Sequence, residues 1–193
     1  MEATFIERRH AGIERISLTG WSLVAGALLQ IGLGIVSAPH QNPASPIFGL
    51  ISTLNAASHL LLLVGVAGLL RSGAVGPGSL GRGGLALTLL GLGVLFLAEF
   101  TSLVNMELAN AFFSAATIGL MTGLILAGIA MLRHGHWTGW RRYTPLACGL
   151  FIPVVFLPAF ALPGYAANYA IGAWGVCWLL LGLAMRSIGP PRI

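Results

Sequence analysis

Six apolar stretches, each about 20 to 25 residues and so able to cross a ~30 Å hydrocarbon core at ~1.5 Å per residue, restrict this chain to one class of fold. They run from Ile16 to Ala38, Ile47 to Leu70, Gly83 to Val104, Leu108 to Leu132, Tyr143 to Leu162 and Ala166 to Met185. Backbone N–H and C=O groups find no water at membrane depth, so stretches of this length are expected as α-helices. The predicted fold class is an all-α membrane protein with six transmembrane helices, forming a single domain over residues 1–193. Residues 1–15 carry Phe5, Ile6 and Ile13 among Glu and Arg, the pattern of a short interfacial segment. The connections are too short to hold a separate soluble domain.

Charge then orients the spans. The chain has ten basic residues, all of them arginine. Arg8, Arg9 and Arg15 precede the first span; Arg71 and Arg82 lie between the second and third; Arg133, Arg141 and Arg142 lie between the fourth and fifth; Arg186 and Arg192 follow the sixth. The other three connections have none. The positive-inside rule therefore expects both termini in the cytoplasm of a multi-pass cell-membrane protein, of the bacterial inner-membrane type. The net charge of +5 is read as this orientation signal, facing an anionic leaflet, and not as a nucleic-acid footprint. Val36-Ser37-Ala38 superficially resembles a cleavage site, but Pro39 follows and the apolar stretch is too long for a signal peptide, so the first span is expected to be retained. Trp137, Trp140 and Tyr143 are expected at the cytoplasmic interface, Tyr165 and Tyr169 at the outer one.

The ends of the even spans look alike. Gly65-Val66-Ala67-Gly68-Leu69-Leu70-Arg71 recurs as Gly128-Ile129-Ala130-Met131-Leu132-Arg133 and as Gly182-Leu183-Ala184-Met185-Arg186. Gly32, Gly91 and Gly149 mark corresponding places in the odd spans, which suggests three parallel helical-hairpin repeats. Small residues at helical spacing, such as Gly119, Gly123 and Ala127, let helix backbones approach closely. Pro153 and Pro158 each remove a backbone donor, so the fifth span is expected to kink and to free the carbonyls of Gly149 and Val154. Cys148 and Cys177 are placed at different depths, as packing residues.

Polar groups at membrane depth are expensive and are the natural candidates for a site. Glu99 lies near the outer end of the third span, on the order of 8 Å below the interface at ~1.5 Å per residue. Ser52, Asn55 and His59 share one face of the second span, and Asn55 is placed level with Glu99. Glu99 with His59 would make an acid, base or proton relay; Asn55, Ser52, Ser102 and Asn105 would bind a ligand beside them. The bland alternative has Glu99 reaching up to the headgroups beside Ser102 and Asn105. His40, Gln41, Asn42, Glu107, Asn110 and Asn168 are assigned to the outer surface, without diagnostic metal-ligand spacing.

Absences narrow the chemistry. The chain has no aspartate for magnesium–diphosphate or aspartyl-phosphate chemistry, no lysine for a retinal Schiff base, and a single histidine inside the spans, against two for a bis-histidine haem. Gly76-Pro77-Gly78-Ser79-Leu80-Gly81 matches the dinucleotide-binding glycine pattern only formally, since no strand precedes it. No cofactor is indicated. The sequence therefore reads as an accessory, interaction or lipid-like-ligand-binding protein; an enzyme acting on a lipophilic substrate through Glu99, and a small transporter or channel, are the alternatives. Expected partners are membrane lipids and a membrane protein or a second copy of the chain.

Overall fold

The computed structural model of the chain describes residues 2–40 and 42–187, with side chains from Leu18 onward. Its regular structure is helical: α1 (Glu2–Val36), α2 (Phe48–Arg71), α3 (Ser79–Ser102), α4 (Met106–His134), α5 (Thr144–Phe151), α6 (Leu157–Ala159) and α7 (Ala166–Arg186). Six segments are long and apolar enough to cross a membrane, the fifth being the composite Gly139–Ala159. The expected fold class is what the chain adopts. α1 is helical from Glu2, so the backbone of the interfacial segment continues directly into the first span; the side chains of Arg8, Arg9 and Arg15, like Gln41 and Arg192, lie outside the described residues.

The spans stand as an up-and-down ring. α1 packs on α2, α2 on α3, α3 on α4, α4 on α5, and α7 touches α5 before closing the ring against α1. Large apolar side chains such as Leu90, Ile118 and Val154 cover its outer surface. An apolar surface this extensive is untenable in water and matches lipid chains. With lipid outside, burial of oily surface cannot drive helix against helix, and close backbone approach takes its place. A Cβ added at Gly123 would lie 2.6 Å from the Gly84 carbonyl oxygen and 2.6 Å from Thr88 Oγ1, so α3 and α4 meet there backbone to backbone. Gly34 and Gly172 do the same for α1 and α7. Hydroxyls add cross-helix bonds: Ser22 Oγ donates to the Leu61 carbonyl at 2.7 Å, and Ser58 Oγ to that of Gly26 at 2.9 Å.

The glycines that suggested a triplication make unlike contacts. Gly65 packs on Leu23 of its own hairpin, Gly128 on Leu146 of the next, Gly182 on Leu23 and Val24 of the first, and Gly32 touches nothing within 4 Å. Recurrence of the motif does not carry over into recurrence of contact.

Span five bends as its prolines require. After Phe151 the helix widens into a π turn, Ile152–Phe156, that takes in Pro153, and Pro158 falls in the short α6 beyond it. A donor from α7 stabilises the start of the bend: Trp174 Nε1 donates to the Cys148 carbonyl at 2.9 Å. That carbonyl neighbours the Gly149 one expected to be freed. Cys148 and Cys177 are not at different depths. Their thiols lie near one another, because the 3-10 turn Gly139–Tyr143 extends span five and places Cys148 as many residues inside Gly139 as Cys177 lies inside Arg186. Trp137 also departs from expectation. It is buried in the core, while Trp140 and Tyr143 are exposed. The loop after α2 accounts for this: Ala74 and Val75 fold inward, and Gly76, at φ +81, brings its backbone against His134.

Candidate functional site

The end of the ring remote from the arginines is hollow. A cavity of about 820 Å³ opens there, with walls from all six spans. Its volume lies within the range of small-molecule and lipid sites.

α2 and α3 build its polar wall. His59 Nδ1 lies 3.9 Å from Glu99 Oε1, and both side chains are about nine-tenths buried. Ser52 Oγ lies 3.4 Å from Ser102 Oγ, which in turn donates to the Glu99 backbone carbonyl at 2.6 Å. Asn55 lines the same wall. Glu99 therefore comes within 3.9 Å of His59, one helical turn from its own level. The physical reason is the lean of Cα–Cβ bonds toward a helix's N-terminus. α2 and α3 are antiparallel, so His59 leans toward the hollow end while Glu99 leans away from it, and the two side chains converge across one helical turn.

Asn105 is not part of this wall. Its side chain accepts from the Leu108 backbone N–H at 3.0 Å and caps α4, beside Glu107 on the outer rim. Other lining residues are ones the sequence leaves out of the site. Gln30, 2 % exposed on α1, donates to the Ile171 carbonyl at 3.4 Å and leaves its Oε1 without a partner. Asn168, expected at the surface, is buried and donates to Ser37 Oγ at 3.4 Å. His40 and Asn110 also line the cavity. Gln30 is legible as an amide in the middle of an apolar span; Asn168 stands at the start of the sixth span, and its burial depends on the neighbouring Ser37 of the first.

Among the described residues no arginine lines the cavity. Among the described residues no three His, Cys, Asp or Glu side chains gather as a metal site would need. Comparison of the chain with family models, curated proteins and solved structures finds no match. The site must be read from its own geometry.

The opposite wall is apolar and incomplete. α4 holds α5 closely where Gly128 meets Leu146 and Gly149 meets Ile125. Past Phe151 the bend carries the chain away, and α4 hardly touches α6. Ile118 at 61 % and Phe160 at 62 % exposed line the cavity on the two sides of this sparsely packed seam. The floor is closed by the buried apolar layer of Leu62, Leu92, Leu120, Leu124 and Trp178.

The cavity thus pairs hydrogen-bonding groups on one side with hydrocarbon and an outward gap on the other. His59 Nδ1 has no hydrogen-bond partner. A single oxygen set about 2.8 Å from both His59 Nδ1 and Glu99 Oε1 can bridge them.

Proposed function

We propose that this protein binds a lipid-like ligand within the membrane, with the ligand's polar end against Glu99, His59, Asn55, Ser52 and Ser102 and its chain against α4 and span five. The observation that carries this reading is the two-sided cavity: His59 and Gln30, each holding a buried polar atom without a partner, line it together with Phe113, Ile152 and Phe156. Unsatisfied buried polar atoms cost about 1–3 kcal/mol each, and a ligand that bonds them recovers that cost. The closed apolar floor speaks against a conduit. The approach of His59 to Glu99 favours a second reading, a membrane-embedded enzyme in which this pair moves a proton on a lipophilic substrate.

Protein extracted in native nanodiscs and analysed by lipid mass spectrometry tests the binding reading. One lipid enriched over the bulk membrane composition is expected; a co-isolated lipid set identical to that of an unrelated six-span protein would contradict it.

The same reading sets the hollow end on the outer side, with both termini cytoplasmic, because the arginines then lie inside. Single cysteines placed in the Pro39–Pro46 and Arg71–Arg82 loops of a Cys148→Ala, Cys177→Ala background test this with an impermeant thiol reagent. Labelling of the first loop in intact cells is expected, and labelling of the second would overturn the orientation.

A further inference from the structure

We infer that the ligand is an uncharged, hydroxyl-bearing lipid that reaches the cavity sideways, between α4 and the bent second half of span five. The inference rests on the ligand-binding reading and gives that ligand a chemical class and a route.

Charge decides the class first. The cavity's polar wall contains the carboxyl of Glu99 and no arginine, and the chain has no lysine. A phosphate headgroup placed there would be desolvated with no cation to offset it, which costs several kcal/mol. It would also bring only acceptors to a wall whose unpartnered Gln30 Oε1 is itself an acceptor. An ammonium brings donors but cannot accept from Asn55 or from the serine hydroxyls. A hydroxyl does both. It donates to Gln30 Oε1 or Glu99 and accepts from the other groups of the wall.

The route follows from the seam in the ring. Elsewhere in the ring α3 and α4 pack most extensively, and the Gly34–Gly172 approach closes α1 on α7. The α4–α6 seam combines sparse packing with cavity-lining residues that are also well exposed, namely Ile118, Leu157 and Phe160. These are apolar, as an acyl or isoprenoid chain crossing from the bilayer requires.

The test uses the full chain in phosphatidylcholine nanodiscs supplied with equal amounts of 1-hexadecanol, hexadecyl phosphate and hexadecylamine, whose tails match and whose heads differ. Adducts are counted by native mass spectrometry after gentle release. The alcohol adduct is expected to exceed each of the other two by at least about tenfold. Gln30→Met, which keeps the length and removes the acceptor, is expected to lower that excess severalfold. Ile118→Trp is expected to slow the appearance of the adduct without changing the order of preference. Preference for the phosphate or the amine overturns the assigned class while leaving a binding cavity in place. Unchanged kinetics in Ile118→Trp overturn the route alone. No adduct with any of the three removes both this inference and the binding reading on which it rests.

Discussion

Glu99→Gln is expected to lower retention of the bound lipid by about ten- to a hundredfold while leaving the yield of folded protein unchanged. A hydrogen bond to an ionisable partner contributes about 1.5–3 kcal/mol, and each 1.4 kcal/mol is about a factor of ten in affinity. The amide keeps the shape of the side chain and loses the proton. Folding should not notice, because the carboxyl accepts no hydrogen bond from the described residues and stands 3.9 Å from His59 Nδ1. A Glu99→Met variant sharpens the contrast. A group kept for function and not for stability is replaceable by an apolar isostere without loss, so its thermal midpoint should equal or exceed that of the unsubstituted protein. Glu107→Gln, at the exposed start of α4, serves as the control and should change neither quantity. A Glu99→Met protein that fails to fold would make Glu99 a structural residue and leave the polar wall without its main chemical group.

Gly123 is expected to be, with Gly34, among the least replaceable residues of the bundle. Its Cβ would meet the Gly84 carbonyl oxygen, Thr88 Oγ1 and the Thr88 nitrogen at 2.6, 2.6 and 2.8 Å, and backbone cannot step aside as a side-chain tip can. Gly123→Ala should therefore cost about 1–3 kcal/mol, and Gly123→Leu should abolish the folded bundle by forcing α3 and α4 apart. Gly32 provides the internal contrast. Nothing lies within 4 Å of its would-be Cβ, so Gly32→Ala should be neutral or stabilising by about 0.5–1 kcal/mol through lower backbone entropy in the unfolded state. Midpoints of thermal aggregation in detergent, read by fluorescence-detected gel filtration, separate the two. Equal sensitivity at Gly32 and Gly123 would refute backbone contact as the basis of helix association here.

Much of the architecture is legible from hydropathy, because the requirement to satisfy backbone groups in lipid leaves helices as the solution for stretches of this length. The bend in span five follows from Pro153 and Pro158 for an equally local reason. What depends on neighbours is less visible. Residue counting sets Asn55 level with Glu99, and the opposed lean of side chains on antiparallel helices brings His59, one turn away, to it as well. Asn105 carries the same chemistry as the site amides but serves as a helix cap, as an Asn ahead of Met106-Glu107-Leu108 allows. Trp137 reads as an interfacial anchor by type and place; only the inward fold of the Ala74–Val75 loop buries it. The glycine motifs announce close packing correctly but not which helix each glycine meets, since that is set by the closure of the ring from α7 onto α1.

Photo-crosslinking in the native membrane tests the ligand site most directly. A diazirine amino acid is placed at Phe113 or Ile171, both on the cavity wall, and for comparison at Leu90, which is exposed on the outside of the ring. After irradiation the lipids attached at each position are identified by mass. Phe113 and Ile171 are expected to capture the same single neutral, hydroxyl-bearing species, lost in the Glu99→Gln background, while Leu90 captures the bulk phospholipid mixture in both. The same phospholipid mixture at all three positions, insensitive to Glu99, would contradict a binding site in the cavity.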